Sequence, residues 1–313
     1  MIFTVTLNPA VDKILFLDEF QRSRTNRLTQ TLETIGGKGT HVSINLKLLE
    51  VHSTALGIAL GENGKKIVKI LGQWGVEVQF LHYELGGMES RTNYEIVENS
   101  EHICSMLTEK GPILPASITS DLLKQIKGLV KAGDMLVLTG DAGNVEDHAI
   151  YSKMTLVAKE LGVKVFLDAS GNYLKEGLNS SPFLIKPNFE EMCFIAGRNL
   201  TSEAEIIAAM QSLDEFGIPM IAMTWGRNGA IVKNGRVFYR VNPIEVKTIN
   251  ESGCGDAFLS AIIAGIEKNM NIEETLAAAA AVAAAAAESE VTAGFDPTRA
   301  AQLKKLAVVV KIQ

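Results

Sequence analysis

The apolar and polar residues of this chain change their period along its length. From about residue 130 onward, short runs of consecutive apolar, largely β-branched residues, at 135–138, 163–167, 183–185 and 220–223, stand between longer stretches of helical period. Uninterrupted apolar runs of that length predict strands buried on both faces, and their alternation with helices predicts a largely parallel sheet. A helix is predicted over 147–161, stopped by Gly162. Another is predicted over 202–216, following Thr201, with Glu205 spaced for a capping box and Gly217 as its stop. Residues 230–232 and 236–241 flank Asn234-Gly235, a hairpin signal that adds an antiparallel edge. Residues 273–288 read as a helix built almost wholly of alanine, able to lie close to its neighbours because nothing protrudes.

The N-terminal third has another texture. Residues 2–7 read as a strand ending at Asn8-Pro9, with Asp12 just beyond. Residues 27–35 and 92–97 read as strands with one polar and one apolar face, suited to a small sheet over a cleft. Between them, Gly36-Gly37-Lys38-Gly39 precedes the helical pattern of Val42, Leu46 and Leu49, a candidate anion site to which Lys38 brings charge.

A chain of 313 residues, 47% hydrophobic, can bury a large core, and no linker or low-complexity segment divides it, so one domain over 1–313 is expected. A net charge of −6 argues against nucleic acid or an anionic membrane surface as partner. The longest apolar stretch, 277–287, is too short to span a bilayer, and 1–17 carries Asp12 and Lys13 where a signal peptide needs an apolar run. Cys104, Cys193 and Cys254 are far apart and form no CxxC pair, which points away from disulfides and zinc and towards a reducing cytoplasm.

The segment Asn250-Glu251-Ser252-Gly253-Cys254-Gly255-Asp256 runs into a helix marked by Leu259, Ile262, Ile263 and Ile266. Glycines there let backbone NH groups converge on one point, and the helix adds the positive end of its dipole. An acid beside such an anion site is explained if it takes a proton from a hydroxyl attacking the anion; taken alone, it is equally an acid that favours a helix start. Lys38 is followed by glycine and not Ser or Thr, and Phe258 stands where a dinucleotide fingerprint needs a third glycine, so neither common nucleotide motif is present. No zinc-ligand pairing or GxSxG occurs, and His52, His82, His102 and His148 read as surface or packing residues.

Five landmarks in order carry a resemblance: Thr6-Leu7-Asn8-Pro9-Ala10-Val11-Asp12, Gly36-Gly37-Lys38-Gly39, Leu167-Asp168-Ala169-Ser170-Gly171, Ile185-Lys186-Pro187-Asn188 and Gly253 to Asp256. Over its whole length the chain resembles the ribokinase-like PfkB family of carbohydrate kinases, in the branch of 1-phosphofructokinase and tagatose-6-phosphate kinase. The resemblance implies an α/β fold, a three-layer α/β/α sandwich with a central, mostly parallel sheet, and a small β lid from roughly 12–36 and 88–110. It implies transfer of the γ-phosphoryl group of ATP, with Mg²⁺, to a ketohexose phosphate, and a homodimer. Fructose 1-phosphate is the expected acceptor and tagatose 6-phosphate the alternative; a catalytically weak sugar-phosphate sensor is a reading of another class.

By the same resemblance Asp256 is the base, and the NH groups of Gly253, Cys254, Gly255 and Asp256 cradle the transferring group. Asp12, Arg27, Gly37, Lys38, His41 and Arg91 form the acceptor pocket. Lys186, Asn188, Thr224, Gly226 and Gly229 lie on the ATP side, and Glu191 holds Mg²⁺ through water. Three positions depart from the pattern. His41 stands where many members have Asn, and the segment 139–143 lacks their Ser-Leu-Pro. Glu251 either faces solvent or reshapes the metal site.

Overall fold

The computed structural model describes residues 1–98 and 103–312. Its main sheet runs, in spatial order, Val309–Lys311, Val237–Val241, Ala230–Asn234, Met220–Thr224, Leu184–Ile185, Lys164–Asp168, Met135–Thr139, Ile2–Thr6, Ser53–Leu60 and Glu77–Tyr83. Every pairing from Glu77–Tyr83 to Met220–Thr224 is parallel, and the hairpin turning at Asn234-Gly235 starts an antiparallel edge. The period of two decides which side each residue serves. Leu136 and Leu138 pack with Ile118, Met154 and Leu167 on one face; Met135 and Val137 pack with Val42, Leu259, Ile262 and Ala281 on the other. Helices therefore cover both faces, as expected for an α/β/α sandwich.

A separate sheet has the order Gln30–Gly36, Ala10–Leu17, Arg91–Glu98, Ile103–Thr108. Its central pairing is parallel and sets Asp12 opposite Asn93. The expected span of 88–110 includes residues 99–102, and with them His102, which lie outside the described residues.

Boundaries moved for local reasons. The strand expected over 27–35 is Gln30–Gly36, and Arg27 lies before it on an exposed loop. The helix expected over 202–216 is Glu203–Ser212 followed by a 3₁₀ turn, Leu213–Phe216, and that over 147–161 is Ile150–Glu160. Ser202 is its cap, accepting from Glu205 N at 3.3 Å, while Glu205 reaches back to Thr201 N at 2.6 Å, one residue before the position a capping box would use. The strands Ala10–Leu17, Ser53–Leu60, Glu77–Tyr83 and Ile103–Thr108 had no counterpart in the sequence pattern.

The alanine helix is Ile272–Ala287. It lies along the helix Cys254–Glu267, and the approach is so close that a Cβ on Gly265 would collide with the Thr275 side chain. Among the described residues no helix is long and apolar enough to cross a membrane.

Candidate active site

The C-terminal ends of adjacent parallel strands are where α/β sheets gather polar groups, because loops diverge there and leave a crevice. Asp168 ends the strand Lys164–Asp168 and is fully buried; Lys186 directly follows Leu184–Ile185 on the neighbouring strand. Lys186 Nζ lies 3.0 Å from Asp168 Oδ2, and Lys38 Nζ lies 2.8 Å from Asp168 Oδ1 and 3.8 Å from Glu191 Oε1. Burial opposes ionisation of Asp168, but the two ammonium groups outweigh it and hold the carboxyl below its ordinary range. Burial likewise opposes the charge on Lys38, and Asp168, Glu191 and Asp256 together overcome it and raise its pKa. Lys38, expected in the acceptor pocket, is thus paired with Asp168 and Glu191.

Asn188 caps the helix Phe189–Ala196. Its side chain accepts from Glu191 N at 2.8 Å, and Glu191 Oε2 accepts from Asn188 N at 2.8 Å, a reciprocal pair that fixes both side chains. Burial raises the pKa of Glu191, Lys38 lowers it and Asp168 raises it further. Thr224 pairs as an isolated bridge with Asn188, and Gly226 and Gly229 follow it in a turn whose Trp225 stacks on Phe189 at 5.2 Å.

The helix Cys254–Glu267 starts from Gly253, at φ 79°. That conformation suits glycine, and a Cβ there would also run into the Thr292 carbonyl. The first helical bond runs from Ala257 N to Gly253 O, so the first-turn NH groups have no partner within the helix. A Cβ built on Gly255 would lie 3.3 Å from Lys186 Nζ, which puts that ammonium beside the turn. Asp256 is buried, and its Oδ2 lies 2.8 Å from His41 Nδ1. The Cys254 thiol is pushed up to about 12 by burial, with Glu251 and Asp256 adding to the rise, so it carries no thiolate at neutral pH. Glu251 is exposed and pairs with Arg227 at 3.2 Å, facing solvent.

A second group of the expected residues lies at the small sheet. Asp12 accepts from Asn93 Nδ2 at 2.8 Å, and Thr292 Oγ1 lies 3.4 Å from its other oxygen. Gly37 caps the helix Lys38–Leu48, whose first turns carry Lys38 and His41. Arg91 donates to the carbonyls of Asn8 and Glu109, both at 3.1 Å; burial lowers its pKa, partly countered by Asp141, Asp12 and Glu109. Arg27 is exposed on its loop, away from these bonds.

Asp168 and Asn250 stood in quoted motifs without a role, Asn93 only beside Arg91, and Glu95 and Thr292 were not singled out from the sequence. Glu95 is buried, accepts from Asn250 Nδ2 at 2.8 Å and from the Cys104 thiol at 2.9 Å, and has its pKa raised chiefly by burial. Asp168 had a usable signal: an acid directly after an apolar run at a strand end.

Residues 5–299 match the profile of the family described as pfkB family carbohydrate kinase. The 1-phosphofructokinase of Bacillus subtilis (strain 168) is 32% identical over 274 residues, 88% of either chain. The tagatose-6-phosphate kinase of Staphylococcus epidermidis (strain ATCC 12228 / FDA PCI 1200) is 29% identical over 315 residues, 100% of either chain. The phosphofructokinase-2 from Escherichia coli in complex with substrates and products shares the fold, with a TM-score of 0.92 at 22% identity over 97% of this chain and 98% of that one. With the match spanning both the parallel core and the small sheet, the chain belongs to the pfkB family of carbohydrate kinases.

Proposed function

We propose that this kinase transfers the γ-phosphoryl group of ATP to the free primary hydroxyl of fructose 1-phosphate. The observation that carries the reading is the juxtaposition of a buried Asp256 with an open helix N-terminus and the Lys186 ammonium. The acceptor oxygen bonds to the γ-phosphorus, and the bond from that phosphorus to the bridging oxygen breaks, leaving its electron pair on ADP. The hydroxyl proton passes to Asp256. The NH groups of the turn at 253–256 and Lys186 stabilise charge on the phosphoryl group in flight. Thr224, Gly226 and Gly229 line the nucleotide side, and Asp12 accepts hydrogen bonds from sugar hydroxyls under the small sheet, which acts as the lid.

The donor set fits a hydrated metal. Among the described residues no group of three or more His, Cys, Asp or Glu could hold a bare ion, whereas Mg²⁺ keeps much of its water and rides on ATP phosphates. Glu191, with Oε2 fixed on Asn188 N, would reach it through water, and the ion would neutralise phosphate charge.

Arg91 supports a phosphorylated acceptor, and the 32% identity to a 1-phosphofructokinase favours fructose 1-phosphate. Full-length alignment with a tagatose-6-phosphate kinase keeps that sugar as the second reading. Measuring ADP release with fructose 1-phosphate, fructose 6-phosphate and tagatose 6-phosphate tests the choice: the highest kcat/KM is expected with fructose 1-phosphate. Tight binding without turnover of any would identify a sensor instead. Arg91→Ala should raise KM for the sugar phosphate by about tenfold or more with a smaller change in kcat, since a charge-assisted contact made before and during transfer is lost. An unchanged KM would put Arg91 outside the pocket.

A further inference from the structure

Both ring nitrogens of His41 are committed. Nε2 lies 3.0 Å from the Ile35 carbonyl oxygen, which only accepts, so Nε2 bears hydrogen. Nδ1 faces Asp256 Oδ2 at 2.8 Å. With Nε2 already bearing hydrogen, Nδ1 bears a second one and donates it to the Asp256 carboxylate. A neutral imidazole there would set its Nδ1 lone pair against a carboxylate oxygen, so the contact holds one proton on the histidine. Water has little access to it: His41 is 7% exposed and Asp256 5%.

The groups around the pair are mostly acidic. Asp256 comes from the helix Cys254–Glu267, Asp12 from the strand Ala10–Leu17 and Glu95 from the strand Arg91–Glu98, while Lys38, on the histidine's own helix, acts on Asp256. Burial opposes the imidazolium, but the bond to Asp256, the charges of Asp256 and Asp12 and the Ile35 carbonyl outweigh it and raise the histidine above its ordinary pKa.

We infer that His41 is a positioning residue that holds Asp256 through a shared proton, so that proton transfer to Asp256 depends on whether His41 is protonated, an inference resting on the kinase reading above. A carboxylate that already shares a proton is a weak acceptor for the one released by the sugar hydroxyl. Because the pKa of His41 is raised, the proton is present below that value and lost to solvent above it. Loss of the proton frees the carboxylate, so phosphoryl transfer accelerates as pH rises through that ionisation.

Two measurements on the full chain test this. In protein labelled with ¹⁵N-histidine, His41 should show both ring nitrogens protonated at neutral pH and should titrate above the ordinary histidine range; the spectrum of His41→Asn assigns its signals. A neutral His41 at neutral pH overturns the inference whether or not the protein turns over a sugar phosphate. The second measurement is the pH profile of kcat/KM for the wild type and for His41→Asn, in which asparagine keeps a donor for Asp256 without a titrating group. The wild-type rate should rise about tenfold per pH unit below the ionisation and level off above it, while the variant stays flat there and is faster at the acid end. Coincident profiles overturn the inference. Absence of turnover by both proteins would fail the kinase reading alone, because the nitrogen signals still report where the proton sits.

Discussion

Replacing Asp256 by asparagine is expected to lower kcat by about 10²- to 10⁴-fold while KM for ATP stays close to the wild-type value. Asparagine keeps the shape of the side chain and can still accept from His41 Nδ1, so the helix start and its free NH groups persist. What disappears is the carboxylate proposed to take the hydroxyl proton. Steady-state kinetics with calorimetric ATP binding check both halves of the expectation. Near-normal turnover would remove Asp256 as the base, and lost ATP binding would show that the turn at 253–256 had been disrupted.

The second large effect is on stability. Asp168→Ala should destabilise the fold by about 3–5 kcal/mol, the cost of leaving buried charge uncompensated. Lys186 contributes most of it, with only 4% of its side chain exposed; Lys38, at 33%, recovers part of its solvation. Urea unfolding followed by circular dichroism measures the difference. A loss below about 1 kcal/mol would mean that both ammonium groups swing out to water, the result typical of surface ion pairs. The direction of the Asp168 pKa gives a companion result. Held below the ordinary carboxylate value, the group stabilises the fold above that value, and its contribution is lost as the pH falls through the folded pKa.

The parallel core was legible because burial on both faces writes itself as uninterrupted apolar runs, as at 135–138 and 163–167. Ala10–Leu17 was not, because Asp12 and Lys13 break its pattern, and Asp12 is buried there against Asn93 and Thr292. Glu95 misleads in the same way: an acid in an alternating strand reads as solvent-facing, but this face of the small sheet is closed by Asn250. The site was legible as a set of motifs and illegible as a set of contacts. Lys38 and Asp168 are 130 residues apart, and His41 and Asp256 are 215 apart, so no spacing rule reveals that they pair. A lysine stem can reach many partners, and here Lys38 pairs with Asp168.

The alanine helix sets unusual terms for sequence drift. Ile272–Ala287 lies close against the helix that begins at Gly253, so near at Gly265 that a Cβ would meet Thr275, and its buried positions there leave little space for larger side chains. Alanine to leucine at the buried positions of this contact would wedge the two helices apart, at the cost of about 1–3 kcal/mol typical of overpacking. The displacement would travel along the helix to Gly253. Exchanges to serine or glycine, usually the harsher ones in a core, would leave the spacing intact. In this region mutational tolerance therefore follows side-chain volume more than polarity, and a residue far from any ligand can govern turnover through the distance it imposes.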